Sequence, residues 1–170
     1  MNFLEKDLEQ IIWESDNEKL RDRNLNINGK KIRQLRIGNY GILDLLTVEK
    51  SFYWCEHRLY MVPFLKITVY ELKKEKVGIS AFLQASRYCK GISKYLEKRK
   101  PFLEFRLNIC LVAKEVDTTS DFIFFNDIFD HSELKNNRLL SSFSLYSFKF
   151  DIDGILFQAH KNYSLIDEGF

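Results

Sequence analysis

The chain has 170 residues, 45% of them hydrophobic and 15% aromatic, with seven Gly and two Pro. That composition suits one globular domain with a real core and excludes disordered and low-complexity classes. The net charge is only +2, yet residues 1–100 hold 20 of the 26 basic and 13 of the 24 acidic side chains. A basic part followed by an acidic one suits an oriented polyanion partner as well as it suits solvated faces of unlike charge.

In chain order, Phe3, Leu4, Leu8, Ile11 and Ile12 recur at helical spacing and predict an amphipathic helix over residues 3–14, with Asn2 as its cap. A polar connection follows from Asp16 to Gly29. Lys31 to Ile37 and Ile42 to Val48 flank Gly38-Asn-Tyr-Gly41, which reads as a β-hairpin. Phe52 to Val62 extends that sheet until Pro63 interrupts it, before a strand from Leu65 to Leu72.

Ile79 to Arg99 is the clearest helix. Advancing 100° per residue gathers Phe82, Ala85, Cys89, Ile92 and Leu96 on one side and Arg87, Lys90, Lys94 and Lys98 on the other, with Gln84 and Tyr88 on the flank between. Pro101 closes it, and Phe102 to Ala113 predicts a buried strand. Asp121 to Phe129 fits a short helix or a strand, and Ser142 to Ala159 a hairpin turning at Asp151-Ile-Asp-Gly154. The expected class is α/β (α+β): a mixed central sheet flanked by helices, with an αβββαβ core and a C-terminal β-hairpin.

The three cysteines, Cys55, Cys89 and Cys110, are odd in number and far apart, which argues against a disulfide framework. Cys55 with His57 lacks the second ligand pair of a structural zinc site. Met1 to Asp7 is charged and no apolar run approaches ~18 residues, so neither a signal peptide nor a membrane helix is expected, and a cytoplasmic setting is.

The chemistry lies in charges that interrupt buried strands. Asp44 stands alone in Gly41-Ile-Leu-Asp-Leu-Leu46, and Ile67-Thr-Val-Tyr-Glu-Leu-Lys73 ends in a Glu-x-Lys triplet. Desolvating such a carboxylate is costly unless a partner or a metal neutralises it. If Asp44 neighbours Glu71, two carboxylates and the Leu72 carbonyl offer hard oxygen ligands to Mg²⁺ or Mn²⁺, and Lys73 adds a positive point charge. Such an ion polarises a phosphodiester and lowers the pKa of its bound water.

Asp44, Glu71-x-Lys73 and Gln84-x-x-x-Tyr88, with Glu5-Lys-Asp-Leu-Glu9 and Arg33-Gln34, together resemble the PD-(D/E)XK nuclease superfamily. The order is most similar to the nuclease domain of NucS-type endonucleases, over roughly residues 3–115. The resemblance implies a restriction-endonuclease-like fold and a metal-dependent nuclease acting on DNA; branched or single-stranded DNA is a candidate partner, but the family's preference for branched or mismatched DNA is not carried over. It implies Asp44 and Glu71 as metal ligands, Lys73 as the signature lysine, Glu5 at the metal or its water with Glu9 as substitute, and Gln84 and Tyr88 lining the site. Arg33, Arg87, Lys90 and Lys94 are the expected nucleic-acid contacts, and a homodimer or targeting partner would suit so small a chain.

Two departures stand out. An insertion with Trp54, His57, Arg58 and Tyr60 separates the aspartate from the Glu-x-Lys strand, and Gln34 replaces the family's glutamate. The competing expectation is a catalytically silent module of the same fold that binds nucleic acid or protein. On that view Asp44, Glu71 and Lys73 form an exposed ion-pair cluster, Glu5 caps its helix through Asn2-x-x-Glu5, and the basic stripe is a solvated face.

Overall fold

The structure, a computed structural model, describes residues 3–55, 59–100, 102–117 and 142–164. Helix α1 (Glu5–Glu14) and the short α2 (Asn17–Asp22) precede β1 (Lys30–Arg36), a 3₁₀ turn (Gly38–Tyr40), β2 (Ile42–Cys55) and β3 (Tyr60–Leu72). Then come β4 (Lys76–Val77), α3 (Ile79–Arg99), β5 (Phe105–Ala113), β6 (Glu115–Val116), β7 (Ser142–Asp151) and β8 (Gly154–Ser164). Six strands form a mixed sheet in the order β1-β2-β3-β5-β7-β8, while β4 and β6 form a small parallel pair beside it.

β1, β2 and β3 are an antiparallel meander, β3, β5 and β7 are parallel, and β7 with β8 is antiparallel. Parallel neighbours need a long crossover, which α3 supplies between β3 and β5. The pleat sends Ile67 and Val69 into a core shared with Phe82, Ala85 and Cys89 of α3. Tyr70 and Leu72 go to the other side, onto Leu8 and Ile12 of α1 with Leu20, Leu25 and Ile27. Burying side chains of that size contributes roughly 1.5–3 kcal/mol each, so both faces of the sheet need their helices. The architecture is therefore a mixed α/β one, a six-stranded sheet flanked by helices.

Several expectations change. Helix α1 begins at Glu5, not at an Asn2 cap: the Leu4 N–H donates to Asp7 Oδ2 at 2.7 Å, which leaves the Glu5 carboxylate free of capping. Its far end is closed by Lys31, whose Nζ donates to the carbonyls of Ile12 and Trp13 at 2.9 and 3.0 Å. The connection after Asp16 contains α2, six residues that bury one side chain, Leu20.

Pro63 does not break β3. It pairs across from Phe52, and β5 joins β3 only from Leu65, so the proline sits where β3 lacks a second partner strand and its missing N–H removes nothing on that side. Helix α3 has its expected bounds, β5 starts at Phe105, and the C-terminal hairpin turns between Asp151 and Gly154 as expected. Pro101 and residues 121–129 lie outside the described residues.

Gly91 lets α3 approach the turn between β1 and β2 closely: a Cβ there would lie 2.5 Å from Ile37 Cγ2 and 2.7 Å from Tyr40 Cδ2. No helix among the described residues is long and apolar enough to cross a membrane.

Candidate active site

The β2–β3 register ends at Leu45 opposite Tyr70; one further step aligns Asp44 with Glu71. On the other side, the β1–β2 register skips Gln34 and Asp44 between the Arg33–Leu45 and Leu35–Leu43 pairs. Gln34 has φ of +51°, a conformation that costs a side-chain-bearing residue on the order of 1 kcal/mol or more. The ladders thus open at one spot, and Asp44 and Glu71 stand at it. In place of a ladder bond, the Leu72 N–H donates to Asp44 Oδ2 at 3.2 Å. Leu72 was expected to offer its carbonyl; the contact made here is through its amide.

Glu71 is fully buried, at 0% exposure. Its Oε1 accepts from Lys73 Nζ at 2.6 Å, and its Oε2 is a buried oxygen without a hydrogen-bond partner. Lys73 Nζ also lies 3.6 Å from Oε1 of Glu5, which is about half exposed. Four expected residues, Glu5, Asp44, Glu71 and Lys73, therefore gather at the ends of α1, β2 and β3.

Burial pushes the Glu71 carboxyl up to about 7, opposed by the Lys73 hydrogen bond and reinforced by the charge of Asp44. Burial also raises Asp44, against the Leu72 N–H and Lys73, with Glu5 and Glu9 adding repulsion. For Lys73, burial works against the ammonium, but the hydrogen bond and charge of Glu71 outweigh it and hold its pKa above the ordinary value. The carboxylates are short of positive charge even with the lysine present.

That shortage bears on metal binding. Among the described residues no cluster of three or more His, Cys, Asp or Glu groups is arranged to hold a metal ion. The donor set at the strand ends is instead two carboxylates that repel each other, Asp44 and Glu71, the second with one buried oxygen left unpartnered. Hard oxygen donors with unneutralised charge fit Mg²⁺ or Mn²⁺, which keep several waters and need few protein ligands.

Gln84 and Tyr88 stand behind this group. Tyr88 is 2% exposed, so it belongs to the buried face of α3 and not to its flank. Its hydroxyl donates to the Ile42 carbonyl at 2.8 Å and accepts from Gln84 Nε2 at 3.0 Å. A Cβ at Gly41, where φ is +115°, would meet the Tyr88 ring at 3.1 Å. The pair thus fixes the start of β2, two residues before Asp44.

Arg33 was expected at nucleic acid, but its Nε pairs with Glu9 Oε1 and its Nη1 donates to Gln10 Oε1 at 2.7 Å. Gln34 Nε2 donates to Glu9 Oε2 at 2.7 Å. Glu9, 6% exposed, thereby ties α1 to the kink opposite Asp44. Sequence reasoning gave Glu9 only as a stand-in for Glu5; its one signal was the i, i+4 spacing of Glu5 and Glu9 on a helix that also carries Leu8 and Ile12 inward.

Arg87, Lys90, Lys94 and Lys98 are exposed along α3. The Arg87 guanidinium lies over the Tyr88 ring at 5.6 Å, nearest the site, and Lys94 lies over the Tyr40 ring at 5.8 Å. Compared with known proteins, the chain matches no family model, no curated protein and no solved structure.

Proposed function

We propose that the protein is a metal-dependent nuclease that hydrolyses phosphodiester bonds, in DNA first of all, with a restriction-endonuclease-like core of the PD-(D/E)XK type. The observation that carries this reading is Glu71: a fully buried carboxylate with one oxygen on Lys73 and the other unpartnered, beside Asp44. An unmet buried acceptor costs about 1–3 kcal/mol, a cost that a cation held on that oxygen would offset. The β1–β3 meander, then α3 and a parallel β5, supports the core assignment, since it sets an aspartate and a Glu-x-Lys at adjoining strand ends.

Asp44 and Glu71, with the Leu72 carbonyl, would hold Mg²⁺ or Mn²⁺, which supplies charge to polarise the phosphate and to acidify a bound water. Lys73, protonated and steered by Glu71, presents its ammonium to the negative charge that grows on phosphorus oxygens during attack. Glu5, on the open side of Lys73, restrains that ammonium and takes a hydrogen bond from an incoming water. Tyr88 and Gln84 keep the Asp44 strand in place, and Arg87 and Lys90 neutralise phosphates flanking the one attacked.

The test is cleavage of linear, flapped and single-stranded DNA by the purified protein in Mg²⁺ or Mn²⁺, beside Asp44→Ala and Lys73→Ala. Metal-dependent cleavage that falls by at least ~100-fold in each folded variant is expected. No cleavage by the folded wild type on any of these substrates overturns the hydrolase in favour of a silent binding module.

A further inference from the structure

β2 and β3 run on past the sheet. β1 accompanies β2 only to Val48 and β5 accompanies β3 only from Leu65. Beyond them Ser51 to Cys55 and Tyr60 to Phe64 pair with each other alone among the described residues. A lone two-stranded ribbon is marginally stable in water unless one face is braced. One face is: Tyr53 OH donates to Glu104 at 2.8 Å, and the Arg106 guanidinium lies 5.1 Å from the Tyr53 ring and 4.4 Å from that of Phe64.

The other face is open. Lys50, Phe52 and Trp54 alternate along β2, and Trp54 pairs with Met61 and Phe52 with Pro63 across the ribbon. Phe52, Trp54 and Met61 are 50%, 55% and 50% exposed, and Lys50 Nζ sits 5.4 Å from the Phe52 ring. By the pleat this face lies on the α3 side of the sheet, since Leu46 and Val48 of the same parity pack into the α3 core. Lys30, opposite Val48, and the exposed Lys94 and Lys98 of α3 lie on that side too. Glu97, a carboxylate on the same helix, accepts from the Ser93 hydroxyl at 2.6 Å.

Rings set among cations suit a polyanion with stackable bases. A second copy of the same face would bring two Lys50 ammoniums together against apolar surface, which like charges disfavour. Phe52 and Trp54 project about 7 Å apart on one face, twice the ~3.4 Å rise of bases within a duplex, so unstacked bases fit and stacked ones do not. We propose that this arm binds single-stranded nucleic acid, Phe52 and Trp54 each stacking on a base while Lys50 and Lys30 meet the phosphates. It requires no hydrolysis; it names the form of nucleic acid that the protein takes.

The test uses a Trp13→Phe background, in EDTA, so that fluorescence reports on Trp54. Saturable quenching by oligo(dT) or oligo(U), stronger than by blunt duplex, is expected. By anisotropy of a labelled oligonucleotide, Phe52→Ala and Trp54→Ala should each weaken binding about 5- to 100-fold with the circular dichroism spectrum unchanged. Should either variant misfold, Lys50→Ala, at an exposed position, should still weaken binding and lower the salt slope by about one.

Unchanged affinity in folded variants overturns the proposal, as does a wild-type dimer on gel filtration that these substitutions dissolve. Binding is read in EDTA, apart from any cleavage. A protein that binds but never cuts therefore sinks the hydrolase alone, and one that cuts with arm-independent affinity sinks the arm alone.

Discussion

Glu9 and Glu71 are both carboxylates withdrawn from water a short distance apart, yet their surroundings differ. Glu9 meets Arg33 with one oxygen and Gln34 with the other, so its charge and both acceptors are answered within the fold. Glu71 has a lysine on one oxygen, nothing on the other, and a second carboxylate for a neighbour. A fold that can complete the first set could complete the second with one more donor. The contrast separates a carboxylate that holds parts together from one kept ready for something that arrives.

The most severe way to break the comparison is Glu71→Gln. It should remove cleavage by at least ~100-fold while changing the urea midpoint little, because the amide oxygen can still accept from Lys73 and the group removed is a carboxylate that burial disfavours and Asp44 repels. A variant that loses stability instead would make Glu71 structural like Glu9. Glu9→Ala should do the opposite. It strands Arg33 and Gln34, and about 3–5 kcal/mol of stability should go by urea titration, with cleavage per folded molecule falling far less than for Glu71→Gln.

The acid dependence sharpens the same point. The folded Glu71 carboxyl holds its proton to about pH 7, against about 4.5 for the unfolded chain. Between those values the native state binds more protons, so wild-type stability in EDTA should decline as pH rises through that window, by on the order of 3 kcal/mol. In Glu71→Gln the decline should flatten, and equal slopes in both proteins would remove the burial argument.

Much of this was legible beforehand where the pattern is local. The period of α3, the turn at Gly38 to Gly41 and the final hairpin are written in short stretches of chain, and so is the Glu-x-Lys triplet. Helix α2 was not, because six residues with one buried leucine show no period. Pro63 misled, since whether a proline breaks a strand depends on a neighbour that the local sequence does not show.

Tyr88 was placed on the flank by angle alone, whereas the small Gly41 opposite admits its ring to the core. The Glu9 network joins α1 to β1 across the intervening α2, and only tertiary structure reveals which of two acids one turn apart turns inward.

Pro63 has a consequence outside the site altogether. Open strand edges carrying half-exposed aromatic side chains are templates on which further chains can add, and that path ends in precipitates. Lacking an N–H, Pro63 interrupts the row of donors along the β3 edge of the ribbon, just short of Leu65, where β5 takes that edge over. The residue expected to end a strand thereby makes the free edge of the ribbon a poorer template for a further chain.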